Sequence, residues 1–301
     1  MIDAIEGLRG DLRVDEPMAR HTSWRVGGAA SRFFLPADQA DLLDFLRSLP
    51  QDEPLFWLGL GSNLLVRDGG MAGTVICTRK RLKNMRLIAP DRVYVEAGVP
   101  CAYVARYCAE NNLVGGEFLA GIPGTMGGAL AMNAGAFGGE TWQLVLRVVT
   151  VDERGEVHYR ERDVFTTGYR EVQGEGEEWF LACELLLEPG DGQAGRRTIK
   201  SLLARRSATQ PINQPSCGSV FRNPEGEYAA RLIEACGLKG YRIGGACVSE
   251  KHANFIINTG NATALDIETL LYHVQRVVDR QTGFFLKPEV RIVGLASKRE
   301  I

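Results

Sequence analysis

The segment GIPGTMGGALAMNAGAFGG, residues 121–139, constrains the fold more than any other part of the chain. Its glycines alternate with large apolar side chains such as Ile122, Met126 and Phe137. A flexible loop has no use for so many apolar groups, so the pattern indicates a packed segment. Because glycine lets a ligand approach the backbone closely, the segment favours binding of a large planar ligand with a pyrophosphate over a purely structural role.

A second glycine loop, GLGSNLLVRDGG at residues 59–70, follows the apolar run LFWL. It is not the dinucleotide motif GxGxxG, because Leu64 stands where the third glycine would be. The P-loop and GxSxG motifs are also absent from it. Taken alone, the loop fits an ordinary turn and a phosphate-binding loop, with Ser62 and Asn63 as added hydrogen-bonding groups, equally well.

The composition of the 301 residues excludes several classes of protein. Lys and Arg number 35 against 37 Asp and Glu, a net charge of -2, so the chain has no basic excess for nucleic acid or a membrane surface. Seven cysteines without a CxxC pair predict reduced thiols, with neither a disulfide framework nor a metal site. No secretory signal and no apolar run of about 18 residues is present, which predicts a cytoplasmic protein.

Hydrophobic periodicity predicts a mixture of helices and strands. Helices are predicted over 37–50, 100–112, 199–211, 228–240 and 263–283. Strands are predicted at 55–58, 74–78, 92–98, 179–190, 254–258 and 287–294, with a hairpin over 145–163. The polar segment PGDGQAG, residues 189–195, is the best linker candidate. We therefore expect two α+β units, residues 1–195 and 196–301.

Six motifs, in this order, carry a resemblance to a known family: HTSWRVGG, GLGSNLLV, GIPGTMGGALAMNAGAFG, GYR, CGSVFRNP and LKPEVR. Together they resemble the UDP-N-acetylenolpyruvoylglucosamine reductases, also called UDP-N-acetylmuramate dehydrogenases, from about residue 20 to residue 294. The resemblance implies an FAD-binding domain of the vanillyl-alcohol-oxidase (PCMH) type over 1–195, in two subdomains that divide near residue 80. A smaller α+β substrate-binding domain would follow over 196–301.

The same resemblance implies the reaction and its cofactors. Family members hold FAD noncovalently, use NADPH as the hydride donor, and reduce UDP-N-acetylglucosamine enolpyruvate to UDP-N-acetylmuramate for peptidoglycan synthesis. The partner implied is thus a small nucleotide-sugar substrate, and we expect a monomer that binds neither nucleic acid nor a membrane. The departures from the longer subtype are the missing tyrosine-bearing loop and Thr209, which stands near where other members carry a lysine. The chain therefore resembles the shorter, second subtype.

Residue-by-residue matching of these motifs implies three catalytic residues. After hydride reaches the enolpyruvyl group, the adjacent carbon must take a proton, which Ser219 would donate. Arg170 would grip the substrate carboxylate through its planar guanidinium. Glu289 would stabilise the enol intermediate, which requires that its carboxyl carry or share a proton because two anions repel.

The matching also implies residues that bind the cofactor and the substrate. The cofactor candidates are Gly59, Gly61, Ser62, Asn63, Gly121, Ile122, Pro123, Gly124, Thr125, Gly127 and Gly128. The substrate candidates are Tyr169, Asn223, Lys251, His252, Asn254 and Arg291, of which His252 fits a structural histidine equally well. Candidates for neutralising the substrate diphosphate are Arg205, Arg206 and Arg222.

Each catalytic candidate also has an ordinary interpretation. Arg170 could be a surface charge, Glu289 an exposed strand residue and Ser219 a turn hydroxyl. Two other functions stay open, namely an FAD-dependent oxidase with the same cofactor fold and a nonenzymatic nucleotide-sugar-binding protein. A serine hydrolase is disfavoured, because Ser219 has no hydrolase motif and no histidine close in sequence.

Overall fold

The computed structural model describes residues 7–297 and has a mixed α and β architecture. Within that range lie six α-helices: α1 Gln39–Ser48, α2 Cys101–Glu110, α3 Met126–Ala131, α4 Gly192–Thr209, α5 Ala229–Ala235 and α6 Ala264–Thr282. The same range contains twenty strands: β1 Asp11–Pro17, β2 Ala29–Leu35, β3 Leu55–Leu58, β4 Leu64–Val66, β5 Met71–Cys77, β6 Met85–Ala89, β7 Arg92–Glu96, β8 Leu113–Val114, β9 Gly135–Ala136, β10 Gly139–Glu140, β11 Val145–Val151, β12 Val157–Glu161, β13 Thr166–Gly168, β14 Glu171–Gln173, β15 Trp179–Leu186, β16 Glu188–Pro189, β17 Arg242–Ile243, β18 Ala246–Val248, β19 Ile256–Asn258 and β20 Arg291–Val293.

The chain forms two compact units that are not contiguous in sequence. Among the described residues, the first contains 7–13, 32–60 and 73–204, and the second contains 14–31, 61–72 and 205–297. The chain passes from one unit to the other between β3 and β4, within helix α4, and within the three strands β1, β2 and β5. These strands belong to a four-stranded sheet with the order β1-β2-β5-β3, in which β3 and β5 are parallel.

The main core of the first unit packs helices α2 and α3 against a five-stranded sheet. The sheet has the order β12-β11-β15-β7-β6 and all its pairings are antiparallel. The predicted hairpin over 145–163 is confirmed as β11 and β12, whose pairing includes Val149 with Tyr159. Trp142 lies at the centre of this core, 1% exposed, and its indole N–H donates to the carbonyl of Leu130.

Helix α6 organises the second unit, as its amphipathic sequence predicts. Thr263 and Asp266 form a reciprocal capping box at its start, and Gly283, with φ 74°, ends it in the left-handed conformation. Its apolar face packs with α5, the sheet β17-β18-β19 and the parallel pair β20-β4. Trp24 is buried in the same core and donates its indole N–H to the Ile256 carbonyl. Segments 14–31 and 61–72 are thus part of this unit's hydrophobic core.

The segment 189–195 differs from its predicted linker conformation. Strand β16 pairs with β8, and helix α4 already begins at Gly192. A Cβ at Gly192 would overlap the carbonyl of Ala109, so a close tertiary contact holds the first turn. Apolar periodicity cannot reveal such a turn, because its residues are small or polar. The domain boundary at 195/196 stays a prediction. No helix of residues 7–297 is both long enough and apolar enough to cross a membrane.

Candidate active site

The glycine-rich segment 121–139 is packed, as its apolar residues predict. It follows a 3₁₀ turn at Glu117–Gly121 and forms helix α3 and the β9-β10 ribbon. The Met126 N–H donates to Val99 and the Gly127 N–H donates to Ala97, so these two backbone donors are used within the protein. A Cβ at Gly127 would lie 2.9 Å from the Ala97 side chain, so glycine allows α3 to approach the β7–α2 connection closely.

The hydroxyl of Thr125, just before α3, is a buried polar group without a protein partner. Thr125 is 1% exposed, and its Oγ1 finds no hydrogen-bond partner in the described part of the chain. A Cβ at Gly59 would overlap this oxygen, and one at Gly128 would lie 3.9 Å from it. An unpaired buried hydroxyl costs about 1–3 kcal/mol, so this position favours a polar ligand atom held between glycines. Thr125 and the two glycines next to its hydroxyl, Gly59 and Gly128, therefore fit a flavin dinucleotide.

The other predicted cofactor residues of this segment differ in exposure. Gly121 and Ile122 are buried, and a Cβ at Gly121 would overlap the ring of Phe137. Pro123 is exposed and Gly124 is half-buried. Gly121 therefore has a packing reason to be glycine, beside any contact with a ligand.

Arg170 occupies a strained turn next to the glycine-rich segment. It lies in the connection between β13 and β14 with φ 59°, a left-handed conformation uncommon for residues other than glycine. Its Nη2 donates to the Gly135 carbonyl at 3.2 Å, and its guanidinium lies 5.1 Å from the ring centre of half-exposed Tyr169. The turn is therefore held against the segment that also presents Thr125.

Asn133 helps to position this turn, and sequence reasoning missed it. It is 2% exposed, and its Nδ2 donates both to the Gly168 carbonyl at 3.0 Å and to Glu140 Oε2 at 2.9 Å. Its Oδ1 accepts the Trp142 N–H at 3.1 Å. The available signal was an asparagine within an apolar and glycine-rich run, because a buried amide must find partners.

In the second unit, the glycine loop reaches the segment that carries Glu289. A Cβ at Gly61 would overlap the His21 carbonyl, and φ of Gly61 is 68°. The Asn63 side chain donates to the Glu289 carbonyl at 3.0 Å, and the Arg291 N–H donates to the Asn63 carbonyl at 3.1 Å. Ser62 is half-buried beside it. Asn63, predicted to contact the cofactor, therefore also fixes the backbone around Glu289.

Ser219 and Glu289 lie on adjacent backbone segments of the second unit. The Glu289 N–H donates to the Val220 carbonyl at 2.8 Å, and Phe221 forms an antiparallel bridge with Pro288. Ser219 is half-buried, and its hydroxyl has no hydrogen-bond partner among residues 7–297. Two of the three predicted catalytic residues are therefore brought together, with one hydroxyl free to act on a ligand.

Asn254 clamps the backbone that follows Ser219. It is 3% exposed, its Nδ2 donates to the Phe221 carbonyl at 2.8 Å, and its Oδ1 accepts the Phe221 N–H at 3.0 Å. Its own carbonyl accepts the Val220 N–H at 2.9 Å. Asn254, a substrate candidate in the sequence, therefore has a clear structural role in orienting the serine segment.

A cysteine nucleophile is disfavoured here. Cys217, two residues before Ser219, is 5% exposed. Burial raises the pKa of its thiol well above 9.0, and the nearby charge of Glu289 raises it further. The thiol therefore stays protonated and unreactive at neutral pH.

Two further substrate candidates make structural contacts. Asn223 Oδ1 accepts the Ala229 N–H at 3.1 Å, at the start of α5. His252 is half-buried with its ring edge on Phe255, and burial lowers its pKa below 6.5. Its Nδ1 is buried without a hydrogen-bond partner in the described chain. The imidazole of His252 is thus expected to be neutral at pH 7. The last substrate candidate, Arg291, is exposed.

Comparisons with known proteins agree on one family. A family model described as "UDP-N-acetylenolpyruvoylglucosamine reductase, C-terminal domain" matches residues 210–293, and one described as "FAD binding domain" matches residues 30–159. The UDP-N-acetylenolpyruvoylglucosamine reductase of Methylococcus capsulatus is 65% identical over 96% of this chain and 95% of its own. The protein of that name from Alkalilimnicola ehrlichii is 61% identical over 95% of this chain and 96% of its own.

A solved structure shows the same fold over nearly the whole chain. It is the crystal structure of UDP-N-acetylenolpyruvylglucosamine reductase from Thermus caldophilus, with a TM-score of 0.80 and 30% identity. The match covers 94% of this chain and 98% of that chain. The expected α+β architecture with an FAD-binding domain is therefore confirmed.

Proposed function

This chain belongs to the UDP-N-acetylenolpyruvoylglucosamine reductase family, and from that membership we propose that it reduces the enolpyruvyl UDP-sugar with Ser219 as the proton donor. FAD, when bound, carries two electrons from NADPH to the substrate in this step of peptidoglycan precursor synthesis. The observation that carries the assignment of Ser219 is its half-buried, unpaired hydroxyl on a backbone clamped beside Glu289. The cytoplasmic location and the monomeric state expected from the sequence stay predictions.

The three polar residues would divide the work at the substrate. Arg170, whose turn is fixed by Gly135, would hold the carboxylate of the enolpyruvyl group. Glu289 would face the developing enol. The Ser219 hydroxyl would then protonate the carbon next to the carboxylate. Ser219 is a weak acid, so it needs neighbours that stabilise its alkoxide as the proton leaves.

Separate measurement of the two half-reactions tests this proposal. In anaerobic stopped-flow, Ser219→Ala should leave flavin reduction by NADPH unchanged, because that step needs no proton from the serine. Reoxidation of the reduced flavin by the enolpyruvyl UDP-sugar should slow by about 100-fold or more, the usual contribution of a positioned acid. The control is Ser216→Ala, a half-buried serine in the same loop, which should change neither rate.

Each alternative gives a different result. Equal slowing of both half-reactions in Ser219→Ala would assign a structural role to the serine. Reduced wild-type flavin that reacts with oxygen and not with the UDP-sugar would support an oxidase. Purified protein without flavin absorbance after saturation with FAD would support a nonenzymatic binding protein.

A further inference from the structure

Phe137 occupies a backbone conformation that its side chain does not favour. Strands β9 and β10 pair Ala136 with Gly139, and the two residues between them, Phe137 and Gly138, have φ angles of 56° and 92°. Positive φ at both positions of a two-residue hairpin turn is typical of type I′, for which Asn-Gly is the preferred sequence. Asparagine tolerates the left-handed region, whereas a bulky side chain does not. Of the seven non-glycine residues with positive φ among 7–297, Phe137 is the only apolar one.

The ring of Phe137 rests on the 3₁₀ turn Glu117–Gly121. A Cβ at Gly121 would overlap the ring, so the ring contacts the α-carbon of this glycine. The reciprocal contact is present as well, because a Cβ at Gly139 would lie 2.5 Å from the ring of Phe118 in the same turn. Two ring-on-glycine contacts therefore hold the β9-β10 ribbon to this turn. Phe137 is 39% exposed, so its burial stabilises the fold less than that of a core phenylalanine.

The same ribbon also contacts Arg170. The Gly135 carbonyl in β9 accepts the hydrogen bond from Arg170 Nη2 at 3.2 Å, and a Cβ at Gly135 would lie 3.3 Å from Nη1. Thr125, with its unpaired buried hydroxyl, follows Gly121 by four residues. The ribbon therefore contacts the candidate carboxylate anchor through its first strand and the start of the candidate cofactor segment through its tip.

We propose that Phe137 is a positioning residue that fixes the cofactor segment 121–125 relative to Arg170, an inference that rests on the proposed function. Strained backbone persists where the surrounding structure over-determines it, and such residues cluster at functional sites. A ring at the hairpin tip supports Gly121, and the unfavourable φ follows from placing the ring there. Asparagine would suit the turn but would leave Gly121 without this support.

Two substitutions separate the effect of the ring from that of the turn. Phe137→Ala and Phe137→Asn both remove the ring, but only asparagine favours the left-handed conformation. The apoprotein of Phe137→Asn should therefore melt about 2 °C above that of Phe137→Ala. Both variants should bind FAD about 10-fold more weakly than wild type in a fluorescence titration, because a segment that is no longer held must be ordered on binding. With FAD saturating, reoxidation of the reduced flavin by the enolpyruvyl UDP-sugar should slow about 10- to 100-fold in both, as small displacements of reacting groups cause.

A conservative variant and a second strained turn complete the experiment. Phe137→Tyr keeps the ring and should retain the wild-type FAD affinity and reoxidation rate. Lys80 provides the comparison, because it is exposed and has φ 63° in the connection between β5 and β6. Lys80→Asn should also melt about 2 °C above Lys80→Ala, while both keep the wild-type FAD affinity and both half-reaction rates.

The outcomes separate this inference from the proposed function. Reduced wild-type flavin that is not reoxidised by the UDP-sugar contradicts the proposed function itself. Normal reoxidation by wild type together with normal FAD affinity and reoxidation in Phe137→Ala overturns the positioning role alone. Tighter FAD binding or faster reoxidation in Phe137→Asn than in Phe137→Ala also overturns it, because function would then follow the stability of the turn. Equal melting temperatures of these two variants would overturn the strain on which the inference depends.

Discussion

Buried and half-buried hydroxyls in this protein fall into two groups. The Thr141 hydroxyl donates to Ala134 at 2.7 Å and the Thr22 hydroxyl donates to Val26 at 2.9 Å, as buried hydroxyls usually do. Those of Thr125 and Ser219 have no such partner in the described chain. Motif resemblance selected both residues from the sequence. Their lack of partners depends on the folded backbone around them, so no sequence pattern could show it.

Replacement of Thr125 should separate ligand binding from stability. Thr125→Val keeps the shape and removes the hydroxyl, so the free energy of unfolding of the apoprotein should stay within about 0.5 kcal/mol of wild type or rise. The dissociation constant for FAD should increase about 10-fold, because one ligand hydrogen bond is lost. Flavin fluorescence titration and urea denaturation of the apoprotein measure the two quantities.

The matched control for this prediction is Thr74→Val. Thr74 is equally buried, but its hydroxyl donates to Glu53 Oε1 at 2.6 Å. Its replacement should reduce the free energy of unfolding by about 1–2 kcal/mol and leave FAD affinity unchanged. Unaltered FAD affinity in Thr125→Val would contradict the ligand contact.

At the scale of elements, sequence patterns predict best where local signals and packing agree. Helix α6 has an apolar stripe, a capping threonine at 263 and a terminal glycine at 283, and it forms where predicted. The first turn of α4 is missed because its helical conformation depends on contact with α2. The Asn254 clamp is missed for a similar reason, since its partners are backbone groups 33 residues away.

Helix α1 should show a pH-dependent contribution from Asp38. The carboxylate of this N-cap residue accepts the Asp41 N–H and one N–H from each Nη atom of Arg9. The hydrogen bonds from Arg9, and next the one from the Asp41 backbone, lower the pKa of Asp38 from 3.8 to about 2. A pKa lowered by folding stabilises the protein above pH 3.8, and the effect disappears as pH falls towards 2. Asp38→Asn keeps the helix cap but removes the charge. Its free energy of unfolding should therefore be slightly lower than that of wild type at pH 5, and this difference should shrink as the pH falls to 3. Urea denaturation across that range measures it, and a constant deficit would refute the assignment.

The Asn254 clamp should matter for both stability and chemistry. Asn254→Leu leaves the Phe221 N–H and carbonyl without partners, which should reduce the free energy of unfolding by about 2–4 kcal/mol. The Ser219 hydroxyl loses its orientation at the same time. Reoxidation of reduced flavin by the UDP-sugar should therefore slow at least 10-fold while reduction by NADPH stays normal.

A second buried asparagine provides the control. Asn258 is 7% exposed, and its side chain donates to the Trp24 carbonyl at 2.9 Å and accepts the Gly260 and Ala262 N–H groups, none of which belongs to the serine segment. Asn258→Leu should cost similar stability and leave the ratio of the two half-reaction rates unchanged. If both variants alter that ratio equally, the clamp acts only through overall stability.

At the scale of the whole molecule, sequence reasoning identifies the family and the catalytic candidates but not the composition of the units. The six motifs select Ser219 and Glu289 as catalytic candidates, and that role stays a prediction. Hydrophobic periodicity, however, depends only on residues close together in sequence. It therefore assigns Trp24 and β4 to the N-terminal unit. In the structure they join the core around α6, far away in sequence. Pairings of high sequence separation leave no local signal.

A fragment spanning residues 196–301 should therefore fail to fold by itself. It lacks Trp24, which is fully buried in the core around α6. Loss of a buried tryptophan side chain lowers the free energy of unfolding by about 3–5 kcal/mol. It also lacks β4, whose three buried side chains contribute about 1.5–3 kcal/mol each and whose backbone pairs with β20. These losses match the total stability of a typical domain, about 5–15 kcal/mol. Circular dichroism should show no cooperative thermal transition for the fragment under conditions where the full chain shows one. A cooperative transition with native-like helix content would instead establish residues 196–301 as an independent domain.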